Sequence, residues 1–227
     1  MITRNYRKKM DLFELQNITF SYPEEEKAVL NDLSLTISVG QSLVIQGDNG
    51  AGKTTLFRIL NGLLFPERGK YYFDGKEITK EYLKDNRSSK IFHQQIGYLF
   101  QNPDIMLFNG KVYDEIAFGP RQMGLSKNVI NERVHDCMRL FNIEQLSDKA
   151  PYHLSGGQKK RVALASVLAL NPSVLILDEP FAGLDKKSKE ELLDFLLKWK
   201  SSGKTLIIAS HEDDLIKPLK DVEFVMS

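Results

Sequence analysis

One cysteine, Cys137, stands in 227 residues, which excludes an internal disulfide and a cysteine-rich metal site and fits a reducing compartment. Its setting, "NVINERVHDCMRLF", has helical spacing, so a small core residue is expected there. Excess charge is also missing. Lys+Arg of 31 against Asp+Glu of 30 leaves +1, so no global attraction to nucleic acid or anionic lipid is encoded, and no nucleic-acid partner is expected. Long apolar runs are missing too: "VALASVLAL" and "VLIL" are far too short to cross a bilayer, and nothing near the N-terminus has the form of a signal peptide. Repeats and low-complexity tracts do not occur. What is present, 42% apolar residues, suffices for one sizeable core, or one core with a smaller lobe, in a soluble, cytosolic chain.

Along the chain, strand patterns alternate with helical ones, which predicts a mainly parallel sheet covered on both faces. Residues 1–9 carry four basic side chains and no apolar period, so a disordered leader is expected, with Met10 a candidate start. Residues 10–227 are expected to form a single domain. "LFELQNITF", "LSLTIS" and "KYYFDGKEI" alternate with period two, and Asp74-Gly75 signals a hairpin, so this part is expected to be antiparallel. From about 102 to 172 the period becomes helical, in "NVINERVHDCMRLF" and "GGQKKRVALASVLAL", which predicts a helical lobe inserted between core strands. "SVLIL" and "TLIIAS" are continuous apolar strands, separated by the amphipathic helix "KKSKEELLDFLLKWK", on which Phe195 and Trp199 are expected in the core.

"GDNGAGKT", Gly47 to Thr54, fits G-x-x-x-x-G-K-[ST], the phosphate-binding loop or Walker A pattern. Its glycines let backbone N–H groups turn inward around phosphates, while a helix starting near Gly52 aims its positive end at the same charge. Lys53 supplies a point charge for the β- and γ-phosphates, and the Thr54 hydroxyl suits a nucleotide-bound Mg2+. A chance match in a chain this long has odds of roughly one in a hundred. The pattern also requires a strand before and a helix after, and "SLVIQ" and "KTTLFRILNGLL" supply both.

Other apolar strands end in chemistry as well. "IGYLF" runs into Gln101, "SVLIL" into Asp178 and Glu179, and "TLIIAS" into His211. In a parallel sheet these ends share the edge where open α/β folds bind ligands. A lone glutamine or histidine is more often a surface or hydrogen-bonded residue. Four strands delivering an anion cradle, an amide, two carboxylates and an imidazole to one edge make an inventory for activating water against a Mg2+-held phosphate. "VLILDE" has the form of a Walker B strand, with Asp178 holding Mg2+ through water and Glu179 polarising the attacking water.

"LSGGQ", Leu154, Ser155, Gly156, Gly157 and Gln158, opens a further helix, with Ser155 placed to cap it and the glycines leaving its end bare, a second anion-binding terminus. A chance occurrence is on the order of one in several thousand. With the two Walker motifs, the chain resembles the ATP-binding cassette (ABC) ATPases over nearly its whole length. The resemblance implies an α/β P-loop fold with a RecA-like, mainly parallel core, an N-terminal antiparallel subdomain and an inserted helical subdomain. It implies ATP and Mg2+ as ligands, and nucleotide contacts from Gly47, Asp48, Asn49, Gly50, Ala51, Gly52, Lys53, Thr54, Thr55 and residues 154–158. "FAGLD" is similar to the family's D-loop, Gln101 to its Q-loop, His211 to its switch histidine, and Tyr22 in "ITFSYP" to its adenine-stacking aromatic. Gln101 then joins Glu179 and His211 as catalytic, and Thr54 and Asp178 as metal-holding. The resemblance further implies that two chains face each other head to tail, "LSGGQ" of one against the γ-phosphate held by the other.

Within that family, "QNPDIMLFNGKVYDEIAFGPRQMGL" is similar to ATPases of energy-coupling-factor and cobalt-type importers, which drive uptake of vitamins or metal ions. The implied partners are a second ATPase chain, identical or different, and integral membrane subunits, at the cytoplasmic face of the membrane. A groove beside Gln101 would receive a short helix of the membrane partner, with Asp104 and Arg121 as candidate coupling residues. Two departures stand out. Phe181 occupies the place of a usual threonine, which points to altered communication between subunits, and the chain stops at "VEFVMS", where relatives continue into a hairpin, leaving open a short or a truncated form. Alternatives are the ATPase of another ABC importer or exporter, and a non-transport ABC protein; the latter usually carries tandem cassettes or a long coiled coil, and neither pattern occurs. A P-loop kinase would leave "LSGGQ" unexplained.

Overall fold

Residues 10–24 and 27–226 are described in the computed structural model; the leader expected at residues 1–9 lies outside the described residues. Strands β1 (Asp11–Phe20) and β2 (Leu30–Ser38) form an antiparallel pair, β3 (Ser42–Gln46) leads into helix α1 (Lys53–Leu60), and the hairpin β4 (Arg68–Phe73) and β5 (Lys76–Glu77) returns beside β1. These outer strands make one antiparallel sheet in the order β2-β1-β4-β5. Asp74 and Gly75 turn the hairpin with φ of 50° and 72°, the paired left-handed geometry whose twist matches the flanking strands. Alternation along β1 is interrupted between Leu15 and Ile18. There Asn17 takes φ 53° and donates its N–H to Ser34 Oγ (3.0 Å), bending the strand as a bulge does.

Helices α2 (Lys80–Lys84) and α3 (Asn86–Gln95) follow, capped by Thr79 and Asp85 side chains. They bury only Phe92, too little to show as a period in the sequence. Strand β6 (Ile96–Leu99) then re-enters the centre, and the segment before the next strand holds α4 (Val112–Gln122), α5 (Lys127–Leu140) and α6 (Gly156–Leu168). The chain finishes as β7 (Val174–Asp178), α7 (Lys186–Ser201), β8 (Thr205–Ala209), the short α8 (Asp213–Ile216) and β9 (Val222–Val225). The central sheet is parallel, in the order β6-β7-β8-β3-β9. Its edge strand β9, drawn from "VEFVMS", has no counterpart in the sequence-based expectation.

Every residue of β7 and β8 is buried, as a strand covered on both faces requires. Because side chains alternate, one sheet feeds two cores. Val44, Leu175, Leu177, Leu206 and Ile208 face the helical lobe and α7, whereas Leu43, Ile45, Val174, Ile176 and Ile207 face α1 and the antiparallel sheet. Helix α6 departs from a single apolar stripe: Val162, Ala163, Leu164 and Ala165 are buried in succession, since it packs on α4, on α5 and on β6. Phe195 lies between Phe141 and Trp199 in tilted ring contacts, joining lobe to α7, and the Trp199 indole donates to Thr205 O (3.0 Å). Cys137 is buried, which pushes its thiol up to about 11 and disfavours the thiolate. Among the described residues no helix is long and apolar enough to cross a membrane.

Candidate functional site

The loop between β3 and α1 is shaped by glycines that no other residue replaces. Gly47 has φ 151°, and a Cβ there would lie 2.6 Å from Met226 O; Gly52, at φ 92°, caps α1 and would collide with Leu30 and Val29. Among the described residues no side chain caps α1, and "KTT" places no acid in its first turn, so the helix presents bare N–H groups and an unopposed positive end. Lys53 curls back over the loop, Nζ donating to Gly47 O (2.6 Å) and Asp48 O (3.0 Å). Its charge therefore lies over the loop.

The ends of β7 and β8 face this loop. The Thr54 hydroxyl donates to Asp178 Oδ2 (2.7 Å), joining the two groups expected to hold a metal. Asp178 is buried, which raises its carboxyl above the usual range, while the Thr54 bond and the charges of Lys53 and Arg58 pull it back down. Glu179 follows with φ 49°, a left-handed backbone that costs a non-glycine residue about 1–3 kcal/mol. Its N–H is held by Ala209 O at the end of β8 (2.9 Å). The residue is 8% exposed: Oε2 accepts from the His211 N–H (3.3 Å), and Oε1 has no hydrogen-bond partner among the described residues. His211 Nε2 lies 3.5 Å from that Oε1 and 3.1 Å from Asn49 Oδ1. A carboxylate oxygen buried beside the glycine loop without a hydrogen bond is able to accept one from a molecule entering the cleft.

The cleft itself encloses about 610 Å³ and brings together Tyr22, Asp48, Asn49, Gly50, Gly52, Lys53, Thr54, Thr55, Gln101, Asp178, Glu179 and His211. Val29, Ala182 and Glu212 also line it, with no signal in the sequence to single them out. The Tyr22 hydroxyl lies 3.2 Å from Thr55 Oγ1 and accepts from Arg58 Nη1 (3.2 Å), while its ring meets Phe20 edge-on, so the ring forms part of the wall. Ala51 turns toward the core on the α1 side of the sheet. Thr54 and Asp178 are hard oxygen donors already in mutual contact, and with the Gln101 amide they suit Mg2+ chemically.

"LSGGQ" is not part of this cleft. Leu154 is buried in the core on the lobe side, and Ser155 caps α6 through a capping box with Gln158, each accepting from the other's N–H (3.4 and 3.0 Å). Phe181 is fully buried in the same core. Its side chain packs in that core and does not lie on the surface. Lys160, absent from the expected site, donates to Glu179 O (3.0 Å) and Ala182 O (2.7 Å). In sequence it is one of three consecutive basic residues on a helix, where exposure is the default.

Comparison with known proteins places these features. Residues 30–182 match the sequence model of the ABC transporter family. The chain is 48% identical over 200 residues to the nickel import ATP-binding protein LarO of Lactiplantibacillus plantarum, covering 88% of this chain and 82% of that one. Among solved structures, cbiO1 of Clostridium perfringens, part of the ABC transporter complex cbiONQ, superposes with a TM-score of 0.81 at 37% identity, over 96% of this chain and 86% of the other. The ATP-binding cassette MJ0796, a dimer in a post-hydrolysis state bound to ADP and Pi, gives 0.86 at 26% identity, over 95% and 94%.

Proposed function

The chain belongs to the ABC transporter family as an ATP-hydrolysing subunit, and we propose that it powers an importer of the energy-coupling-factor type, carrying a metal ion or a vitamin. The likeness to a nickel-import ATPase and to cbiO1 supports this assignment and favours a metal ion. Residues 10–227 act as one ATPase domain, bound peripherally at the cytoplasmic face of the membrane.

In this reading the backbone of residues 47–52 and Lys53 bind the phosphates of ATP, and Tyr22 offers its ring to the base. Thr54, Asp178 and Gln101 would hold Mg2+, which supplies positive charge to the phosphates when bound. Glu179 orients and polarises the attacking water, and His211, bridging Glu179 and Asn49, holds that carboxylate at the phosphate end. The observation that carries the reading is the Glu179 carboxylate, nearly enclosed, with no hydrogen bond to Oε1 among the described residues and His211 Nε2 3.5 Å away, in a cleft built on the glycine loop. Replacing Glu179 by Gln tests it: phosphate release should fall by about 10²-fold or more with ATP affinity retained, and unchanged turnover would refute the role.

A second ATPase chain, identical or different, completes the site. Gly156 and Gly157 support this. Among the described residues a Cβ at Gly156 would meet nothing within 4 Å, one at Gly157 would make only an ordinary contact with Leu184 (3.7 Å), and neither has positive φ. Nothing among the described residues requires glycine there, whereas a phosphate arriving at exposed N–H groups does. For the membrane subunits, Ile105 and Phe108, a few residues beyond Gln101, and Tyr152, which lines a pocket with Phe108, offer exposed apolar surface. Asp104, named for coupling, is paired with Lys159 Nζ (2.7 Å), so its charge reversal acts on α6 as well as on the partner; Arg121 is paired with Asp114 (2.9 Å).

A further inference from the structure

The three basic residues that follow "LSGGQ" reach three different parts of the molecule. Lys159 pairs with Asp104, just beyond Gln101, and Arg161 bonds Ser188 Oγ (2.8 Å) and Glu191 Oε2 (3.1 Å) on α7. Lys160, between them, points inward and is 4% exposed. Burying an ammonium is costly unless its donors are satisfied, and both carbonyls that satisfy this one come from a single turn, at Glu179 and Ala182. That turn holds Glu179 in the left-handed region. Ala182 N–H also donates to Glu179 O (3.3 Å), and the Glu179 N–H is taken by β8. The backbone of Glu179 is thus fixed from outside the turn on both sides, by a strand at its N–H and by α6 at its C=O.

We propose that Lys160 is a positioning residue for ATP hydrolysis: it holds the turn that aims the Glu179 carboxylate at the phosphate end of the cleft, and it ties that turn to the helix that begins at Ser155. The proposal rests on the reading of Glu179 as the group that polarises water. It gives α6 two jobs on one rigid element. Its N-terminus presents "LSGGQ" to a neighbouring chain, and one turn further on its buried ammonium grips the catalytic segment of its own chain. A shift of α6 on engaging a neighbour's nucleotide is therefore passed to Glu179 through two hydrogen bonds.

The test uses Lys160→Met, which approximates the apolar stem and removes the donors, alongside Glu179→Gln and the double variant, in single-turnover phosphate release and ATP titration. Lys160→Met should lose ~10- to 100-fold in the hydrolysis rate, as expected for a misplaced catalytic group. Its apparent affinity for ATP should move by less than about twofold, a split that general loss of structure would not give. In the Glu179→Gln background the same change should cost nothing further, because an amide cannot accept the proton however well it is placed. A folded Lys160→Met with normal turnover, or an equal loss in both backgrounds, overturns the proposal. Should Lys160→Met not fold, Lys160→Gln, whose amide reaches only one carbonyl, should show a smaller loss of the same kind, and normal turnover there is equally fatal. Full turnover by Glu179→Gln sinks the reading of Glu179 and the proposal with it, whereas normal turnover by Lys160→Met beside an inactive Glu179→Gln sinks the proposal alone.

Discussion

Single side chains in the cleft are set by opposing costs, and Asp178 shows this best. Burial raises its folded-state pKa above the unfolded value. A carboxyl shifted in that direction binds more protons folded than unfolded, so its penalty is absent below the unfolded pKa and is fully present once pH has risen through the folded pKa. Asp178→Asn removes the charge and keeps an oxygen to accept from Thr54. The variant should therefore melt higher than the native protein at pH 7, with the difference shrinking as pH falls through the carboxylate range, while ATP turnover is lost. A lower melting temperature at neutral pH would show that the charge stabilises the fold. Lys53 carries the opposite charge, with its ammonium already drawn over the loop by two carbonyls. Losing its charge-assisted contacts to phosphate costs about 1.5–3 kcal/mol, so Lys53→Ala should weaken ATP binding by roughly 10- to 150-fold in a calorimetric titration. Unchanged affinity would remove the phosphate-loop assignment.

Elements divide into those that announce themselves and those that do not. β3, β7 and β8 are legible because strands covered on both faces must be apolar throughout, and the residues that end them are polar for a chemical reason. The turn after β7 is less so. The sequence "DEPFAGLD" shows the two carboxylates but not that Glu179 adopts φ 49°, nor that Phe181 points inward, nor that Lys160 on a distant helix supports the turn. Those facts depend on which helix packs behind the strand, a tertiary contact with no local period. α2, α3 and β9 are hidden for a related reason, each having too few buried side chains to mark a face. Phe181 gives the turn a measurable role. It fills a site in the core with no exposure, so Phe181→Thr should leave a cavity with a hydroxyl inside it and cost about 3–5 kcal/mol. For a chain of this size that is a fall in melting temperature on the order of 10 °C. A loss of less than ~1 kcal/mol would mean that the turn can collapse around the smaller side chain.

For the whole molecule the issue is completeness, since one chain carries a glycine loop in its cleft and, outside it, a capped helix end with open space around Gly156. If "LSGGQ" grips the γ-phosphate of a neighbour, ATP bound to one chain is part of the interface with the next, and a ligand that binds only the dimer stabilises the dimer. Glu179→Gln, which retains ATP without cleaving it, should then run in light scattering as a dimer with ATP and as a monomer with ADP, which lacks the bridging phosphate. Adding Ser155→Arg should return it to monomer, because the bulk at the end of α6 blocks approach from outside, while ATP still occupies the phosphate loop of each chain. The double variant separates the two halves of the site, since its ATP affinity as a monomer reports the cleft alone. A Glu179→Gln protein that binds ATP and stays monomeric would sink dimerisation by this chain on its own. It would leave the cleft's chemistry standing, and it would shift the burden of bringing two ATPase chains together onto a different second ATPase or onto the membrane subunits.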